Sequence, residues 1–254
     1  MSEFYYQIAS KRYPDLNGRT LNCTVNTNSG GLILDPNPAL RFPTTAAPIR
    51  FRSDDASDNL GGAGLRRLLL FGLDENLVFQ SEFILSHPTD GTNWSTSTLS
   101  YLRFGGAIVM EAGLVSNIGT IEIEQVGGPW MADIPPTEGR ARPDTYTVPA
   151  GHMASISLVR YHIEKLDKAD GSVHLQGRIR GVSWPDQAWN HTFTGWVDSE
   201  RVPHVIAPQP VPYRYSAGTD LLMDFESTAK DLRVHLDLVV IEERDRWQWP
   251  TDHS

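Results

Sequence analysis

Alternation of apolar and polar residues with a period of two is the feature of this sequence that most constrains its fold. Residues 155–165, 173–182 and 233–242 each place apolar side chains on one side of an extended chain and more polar ones on the other. Side chains of a β-strand point to alternate faces of the sheet, so this spacing predicts half-buried strands. Apolar residues do not keep a helical spacing over three turns anywhere, so we expect no amphipathic helix.

The first half of the chain shows the same pattern. Residues 64–70 and 77–85 are apolar runs on either side of a loop at 71–76 that contains Asp and Asn. This arrangement predicts a β-hairpin. Residues 101–110 and 118–124 are predicted to form further strands. Many short strands separated by frequent turns are typical of β-sandwiches and jelly rolls, so the sequence predicts an all-β fold.

Proline and glycine suggest where this fold divides, since the chain contains 17 prolines and 21 glycines. The stretch 126–145 is polar and rich in both residues, and we interpret it as a linker because proline cannot donate to a β-ladder. We therefore predict two β-sandwich units, the second of them jelly-roll-like. The predicted divisions are an N-terminal arm (1–15), a first unit (16–125), the linker (126–145), a second unit (146–245) and a C-terminal tail (246–254).

Charge and hydropathy exclude several classes of partner. The formal net charge is −9, which disfavours contacts with nucleic-acid phosphates and with anionic lipid surfaces. Apolar runs are too short for a membrane-spanning helix, and the N-terminus lacks the apolar segment of a secretion signal. We expect synthesis and folding in a cytoplasm. The single cysteine, Cys23, has no partner for an internal disulfide or a thiolate metal cluster.

Motifs for catalysis are absent from the sequence. It contains no nucleophile elbow, no phosphate-binding loop and no zinc-protease motif. The spacing of the eight histidines does not match a known metal-binding motif. From this spacing and the missing catalytic motifs, we predict no catalytic residue, no metal site and no cofactor. The acidic loop 53–58 has two interpretations, a calcium site or a solvated turn, and it lacks the residue order of an EF-hand. A carboxylate pair for sugar hydrolysis is left as an alternative, because 31 acidic residues offer no unique pair.

Tryptophans are the most suggestive candidates for contacts. Three lie within thirteen residues, and two more lie near the C-terminus. Exposed tryptophans anchor protein partners or stack on sugar rings, whereas buried ones fill a core or cap a hairpin. We hypothesise that these residues lie at contacts between subunits. The five residues are Trp184, Trp189, Trp196, Trp247 and Trp249.

Several short motifs also occur in a distinctive order. The sequence S-D-D-A-S-D at 53–58 and G-L-D-E-N at 72–76 are each followed by an apolar run, and Y-T-V-P-A-G at 146–151 opens the second half. In this order the motifs resemble a family of virion structural proteins from tailed bacteriophages. Further similar segments, in the same order, are F-Y-Y-Q-I-A at 4–9, Y-L-R-F at 101–104, G-T-I-E-I at 119–123, P-Y-R-Y-S-A-G-T-D-L at 212–221 and L-D-L-V-V-I at 236–241.

The resemblance implies a structural role without catalysis. It implies a virion component, made in the cytoplasm of a bacterial host, that assembles as repeated copies on the head, neck or tail. The implied partners are copies of itself and other virion proteins. Three departures leave the details of any interface open. They are His152 where the family has lysine, the stretch G-R-A-R-P-D at 139–144 where the family is often rich in Asn and Gln, and the tail 242–254, which has no counterpart. The alternative function is a tail module that binds a glycan or receptor on the host surface through its tryptophan-rich loops.

Overall fold

The computed structural model describes residues 16–27, 32–33, 42–141, 145–165, 173–179, 190–197, 205–207, 214–222, 226–227 and 232–244. Within these residues the structure is entirely β, without a helix, and its strands form antiparallel sheets. The predicted all-β class is therefore confirmed. In the described part of the chain, no helical segment has the length and hydropathy of a membrane span.

Nineteen strands are described, and we number them in chain order. The first ten are β1 (Leu16–Thr27), β2 (Leu32–Ile33), β3 (Ala47–Ser53), β4 (Leu65–Leu73), β5 (Phe79–Leu85), β6 (Ser95–Tyr101), β7 (Arg103–Ala112), β8 (Ile121–Gln125), β9 (Trp130–Ile134) and β10 (Arg140–Ala141). The others are β11 (Thr145–Thr147), β12 (His152–Lys165), β13 (Val173–Ile179), β14 (Asn190–Val197), β15 (Val205–Ala207), β16 (Arg214–Tyr215), β17 (Asp220–Leu222), β18 (Glu226–Ser227) and β19 (Leu232–Arg244).

The chain divides into two compact units, one of which is inserted into the sequence of the other. Residues Pro36–Pro143 form the inserted unit, and residues Met1–Asp35 together with Asp144–Ser254 form the flanking unit. The two halves of the flanking unit are joined by strand pairing, because β1 pairs along its whole length with β19. Leu16 lies opposite Glu243 and Thr27 lies opposite Leu232.

This division corrects the predicted boundaries. The stretch 126–145 is not a linker, because β9 pairs with β8 and β10 pairs with β7 inside the inserted unit. The predicted first unit, 16–125, also fails as a unit, because its first strand belongs to the flanking unit. Two prolines of the stretch, Pro129 and Pro135, lie directly before and directly after β9, at positions where no ladder hydrogen bond is lost.

The flanking unit is organised around two long antiparallel strands. In its largest sheet the strand order is β1-β19-β12-β15, and β16 also pairs with β12. β12 and β19 are paired from His152 to Lys165, with a register shift between Ile156 and Leu158. The strands predicted at 155–165, 173–182 and 233–242 correspond to β12, β13 and β19, so these predictions are confirmed.

The inserted unit is a β-sandwich with jelly-roll pairing. Its two four-stranded sheets have the orders β6-β3-β8-β9 and β10-β7-β4-β5. The pair β4–β5 lies within the pair β3–β6, and the pair β8–β9 lies within the pair β7–β10. Together with the pairs β3–β8 and β4–β7, this is the strand arrangement of an eight-stranded jelly roll with circularly permuted chain ends. The chain enters before β3 and leaves after β10, and a hairpin joins β8 to β9.

One hydrophobic core lies between the two sheets of the inserted unit. Alternate residues of each strand point inwards, so that Ile49 and Phe51 of β3 and Ile121 and Ile123 of β8 are buried from one side. The opposite sheet contributes side chains such as Leu68. The inward residues of both sheets therefore form the core, and the two outward faces are left for contacts with other molecules. The remaining core residues are Leu65, Leu70, Ile84, Tyr101, Phe104, Ala107, Ala132, Ile134 and Ala141.

Candidate functional site

The acidic loop 53–58 is a structural centre of the inserted unit. The side chain of Asp58 is 1% exposed. Its carboxylate accepts hydrogen bonds from the Ser53 hydroxyl (2.6 Å) and from the backbone N–H groups of Leu65 (2.8 Å), Ile118 (2.9 Å) and Gly119 (2.9 Å). Asp58 thus ties the loop to β4 and to the segment before β8. The solvated turn expected from the sequence is wrong for this residue, because its carboxylate is buried and saturated with donors.

No group of metal-binding side chains was found among the residues that the structure describes. The neighbours of Asp58 in the loop make similar local bonds. Asp54 accepts a hydrogen bond from the Thr120 N–H (2.8 Å), and Asp55 accepts one from the Ser57 N–H (2.7 Å). The acidic residues of the loop therefore serve to hold backbone segments together.

The outward face of the sheet β6-β3-β8-β9 carries paired charges between two tryptophans. Arg50 of β3 lies opposite Glu124 of β8 and forms an ion pair with it. Arg52 lies opposite Glu122, with 2.9 Å between Nε and Oε2. The ring of Trp94, just before β6, lies 4.2 and 4.5 Å from the guanidinium carbons of the two arginines. These contacts place Trp94 on the β6 side of the charged face.

Trp130 lies on the other side of this face, at the start of edge strand β9. Its side chain is 43% exposed, and its indole N–H donates to Asp133 Oδ1 over 2.9 Å. An open cleft of about 500 Å³ lies beside it, and we call it the Trp130 cleft. Its lining comprises Arg52, Ser53, Asp54, Thr92, Thr120, Glu122, Trp130 and Asp133.

The outward face of the opposite sheet is mostly apolar, and an ion pair between Arg67 and Glu111 lies beside Phe83. Ile108 of β7, Leu69 of β4 and Phe83 of β5 lie in one row across three strands, and Phe83 is 57% exposed. A row of apolar side chains on the solvent side of a sheet is unusual in a monomeric protein. We call this surface the apolar face, and it comprises Leu69, Phe71, Phe79, Phe83, Leu85, Ile108 and Met110.

The apolar face ends at the edge strand β5, and apart from the inward charge of Glu82 this edge lacks the usual protection. β5 is seven residues long, contains no proline or lysine, and pairs with β4 without a register shift. Natural proteins protect edges with short strands, bulges, charges or proline. β10 has only two residues, and the pairings of β6 and β9 each contain an irregularity. Of the four sheet edges in the inserted unit, β5 is therefore the most open to strand addition.

Glu82 of β5 points inwards and closes the side of the sandwich next to β6. Its carboxylate accepts hydrogen bonds from the Thr98 N–H (2.9 Å), the Thr98 hydroxyl (2.8 Å) and the Leu99 N–H (3.0 Å). It also accepts one from the Tyr101 hydroxyl (3.2 Å). Burial raises the pKa of the Tyr101 hydroxyl well above its usual range, and the negative charge of Glu82 raises this pKa further. Tyr101 therefore remains a donor to Glu82 at physiological pH.

Replacing Glu82 by alanine is expected to lower the stability of the inserted unit by about 2 kcal/mol, because hydrogen bonds to a charged group are each worth more than neutral ones. The change also frees two backbone N–H groups on β6. Gln80→Ala is the matched control, since Gln80 makes one exposed bond from the same strand to Ser100 O. Urea unfolding measures both variants. Equal stability of the two variants would contradict a sealing role for Glu82.

The tryptophans proposed from the sequence are only partly described. Trp196 lies in β14, opposite His174 of β13. The structure thus places Trp196 in a hairpin, and the contacts proposed for it stay a prediction. The other four, Trp184, Trp189, Trp247 and Trp249, lie outside the described residues.

The flanking unit contains buried polar contacts close to the C-terminus. Tyr146 donates from its hydroxyl to Glu242 Oε1 over 2.7 Å, and Thr147 donates to Asp220. Glu242 is part of β19, which continues to Arg244. Shortening the chain after residue 241 would therefore remove a buried partner of Tyr146. A test of the terminal tryptophans requires a truncation after Arg244 instead.

Sequence reasoning missed the two tryptophans of the charged face. Trp130 was not considered as a site residue because it lies in the stretch interpreted as a linker. Ala132 and Ile134 are buried and Asp133 is exposed, which is the alternation of an edge strand. This alternation alone would place Trp130 on the buried side, and the register shift between Ile123 and Glu124 accounts for its exposure. Phe83 was placed in a strand, but the exposed side of that strand depends on the sheet to which it pairs.

Comparisons with known proteins do not assign the chain to a family. No family model matches the chain, and no curated protein matches it. Among solved structures, a T=1 particle derived from infectious bursal virus is 13% identical, covers 90% of this chain and 74% of that chain, and has a TM-score of 0.14. The VP2 subviral particle of infectious bursal disease virus is 11% identical, with coverages of 90% and 76% and a TM-score of 0.14. Such TM-scores are too low to carry an argument about fold or function.

Proposed function

We propose that this chain is a non-enzymatic structural component of a tailed-phage virion, which assembles as repeated copies on the head, neck or tail. The ordered motifs at 53–58, 72–76 and 146–151 support the virion role through their resemblance to that family. The proposed partners are copies of the chain and other virion proteins, after synthesis in the bacterial host cytoplasm.

The observation that carries the assembly role is the open edge of β5 next to the apolar face. Phe79, Phe83 and Leu85 project outwards along this strand and are half exposed. An edge strand is complementary to a second copy of itself under a two-fold axis, because antiparallel strands exchange the same donors and acceptors. Pairing of β5 with the β5 of a second copy joins two four-stranded sheets into one. It also buries the part of each apolar face that lies next to β5.

The inward charge of β5 is compatible with this pairing. Burying an unpaired carboxylate beneath an added strand is costly, and inward charges often serve to prevent strand addition. Glu82, however, already accepts hydrogen bonds from Thr98, Leu99 and Tyr101 within the same unit. A second copy at the β5 edge therefore covers a carboxylate whose partners are in place.

Self-association of the purified full chain tests the assembly role. Sedimentation velocity across the micromolar range is expected to show dimers or larger species that increase with concentration. Hydrogen exchange should show the edge-facing amides between Gln80 and Leu85 becoming more protected as the dimer forms, since β5 then pairs with a second strand. A chain that stays monomeric at high concentration would contradict self-assembly through β5.

The copy number of the chain in purified phage particles tests the virion role. Quantitative mass spectrometry against the major capsid protein is expected to detect the chain in every preparation. A number comparable to the capsid protein indicates a shell or decoration role, whereas a small number indicates the neck or tail. Absence of the chain from particles would overturn the virion role, while leaving the self-association result unaffected.

A further inference from the structure

The Trp130 cleft has the composition of a binding site for a small polar ligand. Its volume of about 500 Å³ falls within the range of roughly 300–1,000 Å³ that is usual for small-molecule sites. Trp130, which is 43% exposed, supplies the aromatic side chain of the lining, and the other lining residues are polar or charged. An aromatic surface next to several hydrogen-bonding groups fits a ligand that has both an apolar face and hydroxyl groups.

The indole of Trp130 is held in place before any ligand arrives. Its N–H donates to Asp133 Oδ1 over 2.9 Å, and both residues lie on the short strand β9. Pro129 precedes Trp130, and a tight turn closes between Gln125 and Pro129 with 3.0 Å between Gln125 N and Pro129 O. A fixed ring loses little conformational freedom on binding, so more of the stacking energy is available for affinity.

The polar groups of the cleft are also fixed. Glu122 accepts a hydrogen bond from Arg52 through Oε2, and Asp54 accepts one from the Thr120 N–H through Oδ1. Each of these carboxylates, like that of Asp133, has a second oxygen with no hydrogen bond among the described residues. These oxygens can accept bonds from ligand hydroxyl groups, and the Arg52 guanidinium can donate.

We propose that the Trp130 cleft binds a neutral carbohydrate, with one sugar ring stacked on Trp130. The C–H groups of a pyranose form the apolar face that an indole ring accepts, and its hydroxyl groups match the carboxylates and the guanidinium. Three carboxylates and a single arginine line the cleft, and this arginine is already paired with Glu122. The excess of negative charge disfavours sugars that carry carboxylate or sulfate groups.

This inference does not depend on a virion role, because a stacked sugar requires only the inserted unit's own residues. It also differs from the sequence hypothesis, which placed sugar contacts on Trp184, Trp189 and Trp196. The cleft lies on the face of the sandwich opposite the apolar face. Sugar binding and self-association through β5 therefore use separate surfaces of the same unit.

Saturation-transfer NMR on the full chain tests the proposal with individual disaccharides. The neutral probes are maltose, lactose, mannobiose and chitobiose, and the acidic probes are sialyllactose and digalacturonate. At least one neutral disaccharide is expected to show transfer, strongest at the protons of one ring face, and the acidic ones are expected to bind at least tenfold more weakly. No transfer to any neutral probe, or stronger binding of the acidic ones, would overturn the proposal.

Variants of the cleft distinguish stacking from other modes of binding. Trp130→Ala is expected to raise the dissociation constant of the neutral disaccharide at least tenfold, and Trp130→Phe is expected to raise it less because a ring remains. Leu114→Ala, which removes an exposed apolar side chain outside both the cleft and the apolar face, should leave sugar binding unchanged. Circular dichroism checks that each variant is folded. Unchanged affinity in a folded Trp130→Ala variant would overturn the proposed site.

Discussion

Replacing Asp58 by asparagine is expected to destabilise the inserted unit by about 3 kcal/mol, because a buried N–H donor that loses its acceptor costs about 1–3 kcal/mol. Asparagine has the same shape but only one acceptor oxygen. Its amide group then faces the N–H of Gly119 or of Leu65, both of which now donate to the carboxylate. Two N–H donors that face each other in a buried site have no acceptor, and no water can supply one. The loop, β4 and the segment before β8 therefore lose the carboxylate that holds them together.

Hydrogen exchange in increasing urea measures this effect within the inserted unit, since peptides from β3, β4 and β8 report on it directly. Asp55→Asn is the matched control. It is the same substitution in the same loop, and Asp55 accepts an exposed hydrogen bond from Ser57. We expect a loss below about 1 kcal/mol for the control. Equal protection of the two variants would show that Asp58 is not the anchor.

Replacing Phe83 by lysine is expected to weaken self-association about 100-fold, which corresponds to roughly 3 kcal/mol. Phe83 lies at the centre of the β5 edge, in one row with Leu69 and Ile108. In a two-fold dimer through β5 the two introduced ammonium groups would be brought close together and lose water. The guanidinium carbon of Arg67 lies 5.4 Å from the Phe83 ring, but Arg67 forms an ion pair with Glu111, so the expected repulsion comes from the two introduced lysines.

Sedimentation velocity measures the dissociation constant of the Phe83→Lys variant against the unmodified chain. Leu114→Lys is the control, because Leu114 is 90% exposed and lies in the loop between β7 and β8. It introduces the same charge away from the apolar face and is expected to leave self-association unchanged. If both lysine variants dissociate equally, net charge rather than the β5 edge governs the assembly.

The strands that could be predicted are those with a strong local signal. β19 alternates over ten residues, β12 alternates with one irregularity, and the hairpin β4–β5 is bounded by turn residues. β1 was not predicted, since Asn17, Gly18, Asn22 and Asn26 disfavour strands. It is a strand because every one of its residues pairs with β19, more than two hundred positions away at Leu16. The pattern of apolar and polar residues within β1 does not show a pairing with a strand so distant in the sequence.

The candidate sites were also hard to predict, because the residues that form them are far apart in the sequence. The acidic loop was noticed, but its role was not, because the donors that surround Asp58 come from Leu65, Ile118 and Gly119. The Trp130 cleft combines residues of the 53–58 loop, of β8 and of β9. Trp94 and Trp130, the two tryptophans on either side of the charged face, are 36 positions apart in the sequence. Neither has a local pattern that marks it as exposed.

The all-β class and the positions of the long strands follow from the sequence, because the period of two is a local property of an extended chain. The folded structure was needed to establish which strands are neighbours. It showed that Pro36–Pro143 forms an inserted jelly roll, that Asp58 is buried and that β5 is an open edge. Pairing joins residues that are remote in sequence, and burial depends on the sheet that covers a side chain. Neither property can be read from the spacing of residues alone.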